Sequence, residues 1–361
     1  MPNNRCNKKI VLKKRASNVY FLSEFDELID KSIIFFKELG FKVVFSKGIL
    51  ILDVKNTREF FSDNIDVFNA TFNDSQRDDI KVFIEYLGDS PFSYQSILLA
   101  KPLQKYINIL EDKEFFDIIN HKSLKSYFQP IINMHDNTIY GYQTVIFGVK
   151  EDGTLMSPDI LFEKSKQNDL IFKLGRLCRE TALKSAASKK ITEKVFINFI
   201  PMAIYKPEFY FALAKKWAKI NPSQIVFEVV ESNSEKHQKH LKRILNYYRD
   251  KGYNIALDNV GEGYSSLNML IDFKPDIIRI DGNVIDRIDQ SEFQQSVYKA
   301  LYTIAQENNI KVLAEGVKTV DELEMIKSIG VDYVQGDYFS KLTSEPIREI
   351  REIKKLRMQR A

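Results

Sequence analysis

Hydrophobic and polar positions along this chain alternate in a repeating way from about residue 124 onward. Short apolar runs each close on a polar side chain: KVFIN at Asn198, IVFE at Glu228, IALD at Asp258, IIRID at Asp281, KVLAE at Glu315 and YVQ at Gln335. Segments with apolar residues at helical spacing separate them. Short parallel strands alternating with helices predict an α/β fold, a (β/α)8 TIM-like barrel that gathers its strand ends on one face. Two earlier strands, YFQPII from Tyr127 and Ile139 to Phe147, flank a turn at His135-Asp136-Asn137. Ser157-Pro158 reads as a helix start, with Ser as N-cap and Pro in the first helical position.

The earlier part follows a different pattern and predicts a small α+β domain over residues 1–95. Asn18 to Leu22 reads as a strand, and Glu24 to Leu39 as an amphipathic helix stopped by Gly40. Phe41–Phe45 and Ile49–Val54 read as a hairpin turning at Lys47-Gly48, and Ser75 to Tyr86 as a further helix. Residues 96–122 are expected to form a rigid helical connector, lacking the Gly/Ser or Pro content of a floppy linker. The barrel is then assigned to 123–345. Residues 346–361 space Ile347, Ile350, Ile353 and Leu356 three apart on a basic amphipathic helix. That stripe either packs on the barrel or a neighbour, or meets a partner or membrane surface.

Composition narrows the classes. With 361 residues, 44% hydrophobic and 28% charged, the chain has the make-up of a globular protein with one large domain and a smaller one. A net charge of +4 makes no case for nucleic acid or for a membrane partner. The basic excess is local, in Arg5 to Arg15 and Arg348 to Arg360; these stretches read as solvated tails or as contacts for an anionic partner. Cys6 and Cys178 form no CxxC, and Cys178 reads as a small buried side chain. No signal-peptide core and no long apolar run is present, so a cytoplasmic location is expected. The N-terminal domain offers no catalytic constellation.

A ring of strand-end oxygens suits hard divalent cations and phosphate chemistry. Gly261 and Gly263 read as the backbone needs of a tight loop, with phosphate cradling as the alternative. The motifs YFQPI, GYQTV, SPDILFEKS, FINFI, FEVVES, ALDNVGEGYSS, IIRID, LAEGV and DYVQG occur in that order from Tyr127 to about Leu342. Together they resemble the EAL-domain family, whose active members hydrolyse the second messenger cyclic di-GMP to its linear form. The resemblance implies an eight-stranded barrel with one strand reversed near its start. It also implies a two-metal site for Mg²⁺ or Mn²⁺, whose ligand positions fall on Gln143, Asn198, Glu228, Asp258, Asn259 and Glu315. The family's water-orienting lysine falls on Arg279, and the acid steadying the Asp-Gly loop falls on Glu231. Nucleotide contacts fall on Gln129, Pro130, Asn198, Arg279, Asp281, Glu315 and Gln335. A homodimer is implied as well, with a regulatory protein partner of unknown identity.

The chain departs from this pattern where the chemistry is most demanding. Glu-Ala-Leu, the motif that names the family, is Gln143-Thr144-Val145; the second aspartate of the Asp-Asp pair is Asn259; the lysine is Arg279. A phosphate-touching arginine falls on Phe147, which is otherwise barrel packing, and a glutamate falls on Lys318. Of five family carboxylates, Glu228, Asp258 and Glu315 remain. Metal affinity in oxygen sites follows ligand charge, and arginine cannot exchange a proton at neutral pH. The expectation is a degenerate member that serves as a cyclic di-GMP receptor or regulatory module. The alternatives are a weak phosphodiesterase and a scaffold that binds no nucleotide.

Overall fold

The computed structural model describes residues 10, 12–86, 88, 92–199, 221–229, 235–261 and 266–353. The chain divides into two compact units, one running to Phe116 and the other starting at Asp117.

In the first unit, β1 (Ser17–Leu22), β2 (Val43–Ser46), β3 (Ile49–Val54), β4 (Lys81–Tyr86) and β5 (Lys101–Pro102) form an antiparallel sheet in the order β2-β3-β1-β4-β5. Helix Asp26–Glu38 covers it with Phe35 and Phe36, which join Phe21, Phe60, Phe61, Phe68 and Phe72 in an aromatic core. The β2–β3 turn has Lys47 at φ 53° and Gly48 at φ 75°, the paired left-handed geometry that matches a two-residue hairpin to strand twist. Two expectations need correction. Only Asp74–Asp79 is helical in the stretch from Ser75 to Tyr86; Lys81–Tyr86 is a strand, paired along its length with β1. KVFIEY has a β-branched and aromatic alternation that gains two strand partners here, which outweighs its helix propensity. The supposed connector also contributes to this unit. It supplies β5, and helix Leu103–Glu111 buries Leu103, Tyr106 and Ile107 in the same core.

The second unit is a closed barrel. Its strands are β6 (Leu124–Asn133), β7 (Thr138–Val149), β9 (Lys194–Phe199), β10 (Ile225–Val229), β11 (Asn254–Val260), β12 (Ile277–Ile280), β13 (Lys311–Ala314) and β14 (Tyr333–Val334). All neighbours pair in parallel except at β6, which runs antiparallel to both β7 and β14 and closes the ring. A two-residue strand β8 (Leu155–Met156) hangs on the edge of β7. Ser157 caps the helix Pro158–Gln167 as its sequence indicated.

Cys178 is buried, and burial pushes its thiol up to about 12, which keeps it inert. The expected helix from Pro346 is not formed over 346–350, and helical backbone is described only at 351–353. Ile350 and Ile353 are nonetheless buried. Tyr142 Oη donates to the carbonyl of Ile347, and Arg348 pairs with Glu193, so this segment packs on the barrel unit. Leu356, Cys6 and Gly263 lie outside the described residues.

Candidate functional site

Side chains two apart on a strand share a face. One apolar layer inside the barrel consists of Ile131, Phe196, Val226, Ala256, Ile277, Leu313 and Tyr333. Two residues further along each parallel strand stand Asn198, Glu228, Asp258, Arg279, Glu315 and Gln335. On the reversed strand β6 the step runs backwards, from Ile131 to Gln129. Gln143 of β7 lies opposite Gln129 in the β6–β7 register. Each of the eight barrel strands therefore supplies one polar side chain to the same layer, six of them at or near the strand's C-terminal end and Gln129 and Gln143 from mid-strand. This layer is the candidate site.

Its centre is Arg279, whose side chain is 1% exposed. The guanidinium faces three carboxylates. Nη1 donates to Glu228 and lies 3.3 Å from Asp258 Oδ1, while Nη2 lies 2.8 Å from Glu315 Oε1. Glu228 is fully buried, Asp258 is 11% exposed and Glu315 is 29% exposed as side chains. Burial works against the guanidinium's charge, but the facing carboxylates outweigh it and hold its pKa above the usual arginine range. Burial pushes the Glu228 carboxyl upward; Arg279 pulls the other way, and the like charges of Asp258 and Glu315 add to the rise. Burial also raises Glu315, again against Arg279. An unpaired buried guanidinium would be very costly, so the three acids are what allow an arginine at this depth.

The other half of the ring is neutral. Gln335, fully buried, donates from Nε2 to Gln129 Oε1 at 2.7 Å. Gln129 in turn donates to the Ser340 carbonyl at 2.9 Å and to Asp337 Oδ1 at 3.3 Å. Gln143 stands between the halves. Its amide oxygen can accept from Gln335 Nε2 at 2.6 Å, or, with the amide turned over, from Arg279 at 2.8 and 3.0 Å. Turned over, the amide has a partner at each end, its oxygen towards Arg279 and its nitrogen towards the Gln335 amide.

The remaining sequence candidates divide. Asn198 is exposed beside Glu228 in register, and so lies in the ring. Asn259 sits at φ 55° where β11 shifts register, a left-handed geometry that Asn tolerates, and is half-buried next to Asp258. Pro130 is not brought to the site. It is buried one residue from Gln129 and therefore on the opposite face of β6. Asp281 uses its carboxylate to cap Gly282–Ile285, accepting from the Asn283 amide at 2.7 Å. Phe147 packs edge-on against Tyr127, with ring centroids 4.9 Å apart. Glu231 lies outside the described residues. The roles of Asp337 and Ser340 in holding Gln129 were missed; the polar run QGDYFS after Gln335 was the available signal.

The residues do not fit a two-metal centre. The oxygens of Glu228, Asp258 and Glu315 that face inward are engaged by Arg279. Glu228 Oε2 has no hydrogen-bond partner among the described residues, but a single oxygen beside a guanidinium is not a cation site. A dication placed about 4 Å from Arg279 would meet a repulsion of roughly 4 kcal/mol per unit charge at an effective dielectric near 20. Among the described residues, no group of three or more His, Cys, Asp or Glu is arranged to hold a metal ion.

A closed β/α barrel with one reversed strand and a layer of polar side chains, one from each strand, defines the class of protein. The family described as the EAL domain matches residues 112–342, and the chain belongs to that family. It is 27% identical over 232 residues to a probable cyclic di-GMP phosphodiesterase, PdeG, of Escherichia coli, a match spanning 62% of this chain and 45% of that protein. It is 23% identical over 319 residues to the blue light- and temperature-regulated antirepressor BluF of the same organism, covering 81% of this chain and 77% of that protein. Among solved structures it resembles a standalone EAL protein of Vibrio cholerae in its cyclic di-GMP-bound form. That likeness has a TM-score of 0.57 and 32% identity, covering 63% of this chain and 96% of that one.

Proposed function

We propose that this protein is a non-hydrolysing EAL protein that acts as a cyclic di-GMP receptor. The observation that carries the reading is the seat of Arg279 among Glu228, Asp258 and Glu315. Hydrolysis of a phosphodiester by two ions needs both ions clamped on the attacking and leaving oxygens. Here the inward oxygens are already bound to an arginine, and the position of a proton-exchanging lysine is taken by a group that stays charged. No catalytic step is assigned to Glu231 or Arg279. The two Nη groups of Arg279 already face carboxylates, and both N–H groups of Gln129 are given to Asp337 and Ser340, so phosphate recognition falls to the outer members of the ring, with the exposed amide of Asn198 foremost. Gln335 and Gln143 set the position of that face. A cytoplasmic location and pairing of two barrels belong to the same reading.

The match to an antirepressor over most of the chain favours a second reading, a regulatory module that acts on a partner protein with or without nucleotide. Titration calorimetry with cyclic di-GMP, in EDTA and then in Mg²⁺, separates the two. Saturable heat in EDTA with no linear product supports the receptor. No heat at high micromolar ligand removes the receptor and leaves the partner-directed module. Brisk Mg²⁺-supported formation of linear product would sink both.

A further inference from the structure

A guanidinium and a divalent cation compete for the same oxygens, and at this barrel mouth the guanidinium is covalently attached. Arg279 belongs to β12, whose four residues are all buried. Its flanking strands β11 and β13 carry Asp258 and Glu315, and β10 carries Glu228. Nη1 reaches Glu228 and Asp258, and Nη2 reaches Glu315. The amide oxygen of Gln143, turned towards the guanidinium, lies within 3.0 Å of both nitrogens. Three carboxylates and one amide oxygen thus surround a planar cation much as such groups surround a metal ion. A tethered cation has a high effective concentration and cannot be chelated or diluted away.

We infer that Arg279 is the resident cation of this ring, with Gln143 as its neutral ligand, and that it excludes Mg²⁺, Mn²⁺ and Ca²⁺ from Glu228, Asp258 and Glu315. The inference deepens the proposed function and rests on it only in taking the ring as non-catalytic. Binding of any ligand at the barrel mouth is then independent of divalent ions. The neutral residue at position 143 fits the same logic: a guanidinium brings one positive charge where two dications bring four, so it needs fewer anionic ligands.

Manganese binding to the full chain, followed by electron paramagnetic resonance, tests this without recourse to turnover. The native chain is expected to show no saturable Mn²⁺ site that Glu228→Gln abolishes, while Arg279→Ala acquires one at least about tenfold tighter. Should Arg279→Ala not fold, Arg279→Gln, which keeps hydrogen-bonding capacity towards the acids, serves in its place. A saturable native site lost on Glu228→Gln would overturn the inference, as would a folded position-279 variant that binds Mn²⁺ no better than the native chain. The proposed function fails by a different readout, because absence of cyclic di-GMP binding in EDTA leaves the Mn²⁺ result untouched.

Discussion

Gln143 stands between the Arg279 guanidinium and the Gln335 amide, and that place gives it energetic weight. Arg279 and Gln335 both present N–H groups to it, at 2.8 and 2.6 Å. Gln143→Leu removes one acceptor from the network, leaving Gln335 Nε2 with Gln129 and the guanidinium with its carboxylates alone. The expected cost is about 1–3 kcal/mol, read as a lower urea midpoint with an unchanged slope. A variant as stable as the native chain would mean that the amide is not part of the network. A glutamine where the resemblance implies a glutamate is plain in the sequence. The sequence does not reveal that a neutral amide there sits against a guanidinium, because that depends on where β12 points its third residue.

The strands themselves were legible because their chemistry has a period of two. An apolar residue followed two places later by a polar one marks β9 to β14 in turn, and the same step reversed marks β6. β4 was read as helix because only its partners, β1 and β5, decide between the two forms of KVFIEY. The end of the barrel opposite the site has its own polar anchor. Asp332, 3% exposed, accepts from Lys311 Nζ at 2.8 Å, the Val312 amide at 2.9 Å and His135 Nε2 at 3.1 Å. Burial raises its pKa, but these donors outweigh burial and hold the carboxyl below the usual aspartate value of 3.8. A group depressed in the folded state adds stability above its unfolded pKa and loses it as pH falls through the folded one. Asp332→Asn is therefore expected to cost about 2 kcal/mol near neutral pH. The gap from the native chain should close below about pH 4. Urea midpoints measured across that range check both parts, and a gap that widens on acidification would refute the assignment.

Across the whole molecule, architecture and electrostatics have separated. The barrel has its closure, its reversed strand and one polar side chain from each strand in a single layer. On the proposed reading, the departures that matter are lost negative charge at Gln143 and Asn259 and a guanidinium that cannot exchange a proton at Arg279. If those three departures are the sole barrier to hydrolysis, the combination Gln143→Glu, Asn259→Asp, Arg279→Lys should restore it. Asp tolerates the left-handed backbone at 259 as Asn does, so that exchange carries no backbone penalty. Lysine at 279 frees the inward oxygens of Glu228 and Asp258 and returns a group that can exchange protons. The triple variant is expected to form linear product from cyclic di-GMP in Mn²⁺ at least about tenfold faster than the native chain, with Arg279→Lys alone well below it. A folded triple variant that stays silent would move the block elsewhere, to Phe147 against Tyr127 or to Lys318, which pairs with Asp286 at 2.6 Å. Native activity already equal to that of the variant would show instead that Arg279 leaves its carboxylates when substrate arrives.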